Sequence, residues 1–438
     1  MAVCEIRQTP DARFHGLIAS AEALAEQGRA GEAEDILRLA LRVRPGSAAA
    51  RNALGMVLFD AGRLEDALGC FRRATEIDPH AAGAWGNAGM VLKTLDRFDE
   101  ALAAYDRALS LDPGSGQLRL NRAVALLRAG RMAEAWGDYE ARLVLRCHDS
   151  PLERLLPTLG ENEPDLRGRS VLILHEEGFG DTLHFIRYAA LLAARGARVA
   201  VAAPPELARL LAGVAGIDEV IEGAVEGAGG PGLHDYVCPV FSLPRVFATT
   251  LESIPRAMPY LRAEPGLVAQ WGRVLRWRDR ARLRVGLVWA GQARPWLPGF
   301  AALDRRRSAG LAALAPLAGL DAEFVSLQKG GDCLGSLAVH DPMPFARDFA
   351  DTAAVIAHLD VVVSVDTAVA HLAGGMGKPV LLLDRYDSCW RWLSGRTDSP
   401  WYPTLRIFRQ TRPGVWDDPV RAVAEALAEM AGGAGHRR

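Results

Sequence analysis

Lysine is nearly missing from this chain. Only Lys93, Lys329 and Lys378 stand among 51 basic residues, and the rest are arginines. An arginine-rich codon usage accounts for the bias without any function. A lysine kept against it still marks a place where a compact ammonium differs from a planar fork. Cysteine is sparse as well: Cys4, Cys70, Cys147, Cys238, Cys333 and Cys389 show no CxxC spacing, which argues against a zinc site or a disulfide framework. No apolar run reaches the roughly 18 residues of a membrane span. The first residues lack a positive, apolar, small-residue leader, so the cytoplasm is the expected compartment. Charge of one sign is absent too. With 51 basic and 53 acidic residues and a net charge of −2, no nucleic-acid partner is expected. Neither half carries a proper GxGxxG fingerprint, which disfavours a nicotinamide oxidoreductase.

What is present first is a beat of 34 residues. Pro45, Pro79 and Pro113 are equally spaced, as are Ala33, Ala67, Ala101 and Ala135. Gly28, Gly62 and Gly130 share the grid, with Asp96 in the remaining slot, and Leu37, Phe71, Tyr105 and Tyr139 follow it. Small residues at fixed slots with proline at the end are the tetratricopeptide signature. Four repeats of two antiparallel helices each are expected over 14–149, at 14–47, 48–81, 82–115 and 116–149. One repeat cannot bury its apolar face, but a stack of three or more can. Asn52, Asn87 and Asn121 fall on first helices, which face the groove of such a stack. They are candidates to hydrogen-bond an extended peptide; solvated or capping asparagines are the plainer reading.

The beat stops near Leu145. A proline- and glycine-bearing stretch, 150–168, reads as a linker or packed connector. Strands then alternate with helices. The first half (169–262) holds strands at 170–175, 197–203, 219–221 and 236–238. The second (284–415) holds strands at 285–290, 323–327, 360–365 and 379–383, with helices at 308–317 and 367–376. A terminal helix is expected within 416–431. This alternation implies parallel sheets covered on both faces, and ligands at the carboxyl ends of their strands.

Two strand-to-helix turns carry the candidate chemistry. In the first half, Gly178 and Gly180 allow close backbone approach, and Asp181 opens the next helix. Its carboxylate can serve as a general base or simply cap its helix. In the second half, Asp366, Thr367 and Ala368 lie where backbone N–H groups attract phosphate, with His371 and Gly374 further along the helix. His371 reads equally as a buried, hydrogen-bonded core histidine. Lys329 follows another strand, and Arg305, Arg306 and Arg307 precede a helix, where they can clamp a pyrophosphate or form a solvated patch. Lys378, on the opposite edge, reads as structural.

The stretches GFGDTLHFIRYA, GLVWAG, DRRRS, SLQKG, DFADTAAVIAHLDVVVSVDTAVAHLAGGMGKPV and DSPWYPTLRIFRQ resemble glycosyltransferase family 9, the heptosyltransferase-like enzymes. More closely, residues 14–430 resemble bacterial proteins that join tetratricopeptide repeats to such a domain. The resemblance implies a GT-B fold of two Rossmann-like domains, with the acceptor toward the first and the nucleotide-sugar donor on the second. It implies an inverting transfer without metal or other cofactor. The residue matching the family's proposed base is Asp181, with Gly178, Gly180 and His184 on the acceptor side. The family's donor-side Asp-Thr pair matches Asp366 and Thr367, with His371 and Gly374 further along its helix; Lys329, Ala368, Arg305 and Arg307, read from the residues themselves, complete the candidate donor set. The chain departs from its relatives at residues 292–300, longer and more apolar than their polar loop, at His184, where glutamine is expected, and at Asp384-Arg385-Tyr386.

The expected protein is therefore a glycosyltransferase whose repeats hold a protein acceptor while its Ser or Thr hydroxyl is modified; flagellin is an acceptor class by analogy alone. Two alternatives stand beside it: a scaffold with a decayed transferase domain, and a transferase acting on a lipid-linked or surface glycan.

Overall fold

The computed structural model describes residues 10–145, 155–159, 164–223, 233–275, 277, 279, 281–291, 300–330 and 337–434. The chain forms two compact units, Met1–His148 and Asp149–Arg438. The departing loop at 292–299 lies outside the described residues.

The first unit is helical. Its helices are α1 (Pro10–Glu26), α2 (Ala30–Val43), α3 (Ala48–Asp60), α4 (Leu64–Ile77), α5 (Ala82–Thr94), α6 (Phe98–Leu111), α7 (Gly116–Arg128), α8 (Met132–Tyr139) and the short α9 (Ala141–Leu145). The grid positions explain the pairing. Gly28, Gly62, Asp96 and Gly130 all have positive φ, between 58° and 81°, and turn the chain between the two helices of each pair. Gly55 and Gly89 let those helices touch: a Cβ at Gly55 would lie 2.6 Å from the Phe71 ring, and one at Gly89 2.9 Å from Tyr105. Ala33, Ala67, Ala101 and Ala135 are fully buried. Arg29, Arg63, Arg97 and Arg131 each pair with an acid three residues on. Such exposed pairs add only about 0–1 kcal/mol each, so stacking of the apolar faces holds the array.

The second unit contains two parallel sheets. The first has the order β3-β2-β1-β4, from β1 (Ser170–Leu174), β2 (Arg198–Ala203), β3 (Glu219–Glu222) and β4 (Tyr236–Pro239). The second has the order β10-β9-β8-β5-β6-β7, from β5 (Leu283–Val288), β6 (Ala322–Ser326), β7 (Val339–His340), β8 (Val361–Val365), β9 (Val380–Asp384) and β10 (Leu405–Arg409). Every strand pairing is parallel. Runs such as VVVSV in β8 are buried throughout, as a sheet covered on both faces requires. The helices are α10 (Phe179–Phe185), α11 (Ala189–Ala194), α12 (Pro205–Leu211), α13 (Leu243–Val246), α14 (Pro265–Val274), α15 (Phe300–Arg307), α16 (Phe349–Ala357), α17 (Ala368–Gly375) and α18 (Asp417–Ala434).

One expectation changes. The helix expected at 308–317 is a 3-10 helix at Leu311–Gly319, entered through Gly310 at φ +76° and containing Pro316. Arg305–Arg307 end a helix of their own, α15, ahead of that 3-10 helix. Residues 155–159, read as a linker or packed connector, are packed on the second unit: Leu155 bridges Val237, and the Leu156 N–H donates to the Val237 carbonyl at 2.9 Å.

Candidate active site at two meeting switch points

Each sheet has one place where the chain leaves a strand to one side and later returns on the other. In the first sheet it lies between β1 and β4, in the second between β5 and β8. The crevice outside the carboxyl ends of such strands is where open parallel sheets bind ligands. Here the two crevices meet. The turn after β1 reaches the start of α17 so closely that a methyl on Gly180 would lie 3.1 Å from the Ala368 Cα and 2.9 Å from the His371 ring. Only a glycine permits that approach. Phe179 packs edge-on against Phe349 at 5.3 Å, and Arg209 on α12 pairs with Asp348 and Asp351 on α16 at 2.7 and 3.1 Å.

Asp181 sits in the first turn of α10. One carboxylate oxygen accepts the Gly178 N–H at 3.1 Å; the other accepts Arg391 Nη2 at 2.5 Å. The capping role read from the sequence is present, and the second oxygen turns toward the other half. Its side chain keeps 20% exposure. Enclosure raises its pKa to about 6, against the lowering charge of Arg391, which places it in the range a base near neutrality needs.

On the second sheet, Asp366 (17% exposed) and Thr367 follow β8. Thr367 stands at the N-cap of α17 without capping it through its side chain. Ser364 Oγ donates to the Val365 carbonyl and lies 3.0 Å from Thr367 Oγ1. Its single hydrogen is spent, so Thr367 donates to Ser364. The Thr367 hydroxyl is turned inward; the Ala370 N–H donates to the Thr367 carbonyl at 3.1 Å, and the Ala368 and Val369 N–H groups stand at the helix start, where an anion is favoured. Arg307 lies over Gly291 and donates to the Asp366 carbonyl at 3.4 Å while pairing with Asp304 at 2.6 Å. Lys329 is exposed just past β6, on the same carboxyl edge. Arg305 is exposed, and Arg306 instead pairs with Asp387 at 3.1 Å.

Three expected ligand contacts lie behind the crevice rather than in it. His184, expected on the acceptor-side loop, is fully buried in the last turn of α10. His371 is buried and stacks on Trp392 at 5.3 Å. Gly374 serves packing: a Cβ there would lie 2.7 Å from the Tyr402 ring. The inward face of α17 puts both His371 and Gly374 against Tyr402. The Tyr402 hydroxyl bridges His184 Nδ1 at 2.7 Å and His371 Nδ1 at 2.9 Å. Burial holds both imidazoles neutral, His371 down at about 3 and His184 well below its ordinary value. One hydroxyl can donate to only one of them. His371 Nε2 lies 3.8 Å from the Asp366 carboxylate, which favours a proton on that nitrogen. Tyr402 then donates to His371 Nδ1 and accepts from His184 Nδ1–H.

Sequence reasoning missed Arg391, Tyr402 and Arg385, which pairs with Asp387 beside Asp366. For Arg391 and Tyr402 the signal was the tryptophan-rich segment from Trp390 to Tyr402, part of which carried the resemblance. Among the described residues, no group of three or more His, Cys, Asp or Glu side chains could hold a metal ion, and no helix is long and apolar enough to cross a membrane.

Residues 18–82 and 87–150 match the tetratricopeptide repeat family, and residues 347–414, which span α16 to β10, match glycosyltransferase family 9 (heptosyltransferase). The chain joins tetratricopeptide repeats to a glycosyltransferase family 9 domain. The matched segment of that domain contributes Asp366, Thr367, His371, Arg385, Arg391 and Tyr402 to the crevice and its backing. A curated relative, protein FlbA of Caulobacter vibrioides, is 30% identical over 199 residues, which cover 42% of this chain and 31% of that protein. The chain thus spans about a third of the relative's length. Among solved structures, MamA is 22% identical over 30% of this chain and 78% of its own, with a TM-score of 0.28. Pseudomonas aeruginosa PilF is 24% identical over 32% of this chain and 65% of its own, with a TM-score of 0.30.

Proposed function

We propose that this glycosyltransferase family 9 domain moves a sugar, with inversion and without a metal, from a nucleotide-sugar donor to a Ser or Thr hydroxyl of a protein held by the repeats. Two parallel-sheet halves whose carboxyl edges meet support a GT-B reading, in which the donor would sit on the second half and the acceptor toward the first. The observation that carries the reading is the close approach of the Gly180–Asp181 turn to the start of α17. A carboxylate and an anion-attracting helix start then face one crevice, as in-line displacement at an anomeric carbon needs. Asp181 takes the acceptor proton. The departing diphosphate is met by the α17 amides and by Arg307, with Lys329 on the same sheet edge. In the repeats, Asn87 Nδ2 donates to Asn52 Oδ1 at 2.9 Å, which leaves an amide donor and an amide acceptor side by side, the complement of a peptide unit. Asn121 accepts from Gln117 at 2.9 Å.

Incubation with a panel of nucleotide sugars should release nucleoside diphosphate, and Asp181→Asn should lower turnover about 100-fold or more with donor affinity nearly unchanged. A wild-type rate in that variant removes Asp181 from the mechanism. Intact-mass comparison of cellular proteins with and without the gene gives sugar and acceptor together. Removal of residues 1–149 should stop protein modification and spare donor hydrolysis; modification that survives it refutes the holding role of the repeats.

A further inference from the structure

The Asp181 carboxylate is pinned from two sides, by its own turn and by a guanidinium 210 residues away in sequence. We propose that Arg391 is the positioning residue that keeps this carboxylate anionic and aimed, so that the base is complete only where the two halves meet. The inference rests on Asp181 acting as the base. Arg391 is itself held firmly. It stands in a single 3-10 turn, Trp390–Trp392, closed by Leu393 at φ +54°. It is 6% exposed and lies against the faces of Phe185 and Phe241 from the first half and Trp390 from the second, at 5.3, 5.2 and 4.7 Å. Its Nη1 reaches Cys389 Sγ at 3.2 Å. A guanidinium fixed by three rings presents its fork in one orientation, which a flexible ammonium does not.

The charges around Asp181 give that orientation a purpose. Glu177 on its own turn and Asp366 from the second half both disfavour a further anion, while the Gly178 N–H and Arg391 favour it. His371, packed against Gly180, stays neutral and contributes no compensating charge. Without Arg391, an enclosed carboxylate facing two like charges takes up a proton and can no longer accept one from a hydroxyl. The second half would then supply both the donor platform and the partner of the base.

The test is the titration of Asp181 itself in the full-length chain. Aspartate is labelled with 13C at the carboxyl carbon, and Asp181→Asn identifies the signal. In Arg391→Gln the midpoint should rise by about one to three pH units, and Arg391→Lys should recover much of the change. An unchanged midpoint in a folded Arg391→Gln overturns the proposal. If that variant does not fold, Arg391→Met, which keeps the apolar stem under the rings, replaces it under the same criterion. Failure of both to fold makes Arg391 a structural pillar and also overturns the proposal. The base reading fails separately, if Asp181→Asn still releases nucleoside diphosphate at the wild-type rate, whatever the titration shows.

Discussion

Replacing Tyr402 by phenylalanine removes one oxygen and two buried hydrogen bonds. Both partners are ring nitrogens with no route to water: His184 is 0% exposed and His371 4%. The proton arrangement derived above leaves His184 Nδ1–H without an acceptor and His371 Nδ1 without a donor. A buried polar group left unmatched costs about 1–3 kcal/mol. Allowing for partial relaxation, Tyr402→Phe should destabilise the second unit by about 2–4 kcal/mol. The chain has two units, so a single global transition is a poor measure. Hydrogen exchange of the β8 and β9 amides, read against urea, isolates the right region. Nitrogen-15 shifts of the two imidazoles give an independent reading: His371 should carry its proton on Nε2 and His184 on Nδ1. A stability change under about 0.5 kcal/mol, or the opposite tautomers, refutes this account of the pocket.

Acid should unfold the second unit early. His175, pushed down to about 4 by burial, His371 at about 3 and His184, held well below its ordinary value by burial, are all neutral in the native chain, whereas the unfolded imidazole titrates near 6.5. Their contribution is complete above pH 6.5 and is lost on acidification, at about 1.4 kcal/mol per pH unit for each. Asp181 works in the other sense, because a carboxyl raised to about 6 gains relative stability as the pH falls from there toward about 4. Three groups outweigh one, so Tm should fall steadily from pH 6.5 to 4, and a flat or rising Tm contradicts the assignments. Gly180→Ala should push the turn off α17, because its new methyl meets Ala368 backbone at 3.1 Å. A cost of about 1–3 kcal/mol and weaker donor binding, read by calorimetry, are expected, and native values for both would show that the approach is not needed.

The array of repeats was legible because its signal is local and repeated. Glycine at 28, 62 and 130 and aspartate at 96 were readable as one slot before their shared positive φ was known. The sheet strands were legible for a similar reason, since β-branched runs such as Val361–Val365 have few other uses. α12, α14, α16 and β10 were passed over. Their sequences mix small, apolar and charged residues, and only the sheets they pack against or join decide their form. In the site, the turns bearing Asp181 and Asp366 were found from strand-to-helix grammar. Arg391 and Tyr402 were not, because they reach their partners over 210 and 218 residues, and no periodicity reports such a contact. His184 and Gly374 were given ligand roles because their motifs border the crevice. Their side of the helix, which only packing reveals, turns them inward.

Arg187 bears on how substrates enter. Its guanidinium donates to the carbonyls of His184, Pro255 and Trp401 at 2.8, 3.3 and 2.7 Å and to the Tyr260 hydroxyl at 3.0 Å. The rings of Tyr260, Trp401 and Tyr402 surround it at 4.6, 5.5 and 4.7 Å. A swing that parted the halves would draw this cation away from the Trp401 carbonyl and from the Trp401 and Tyr402 rings of the second half. Such a motion is a local unfolding event rather than a hinge stroke. Any ligand of the crevice accordingly enters through loops at its mouth, while the lobes behind stay clasped.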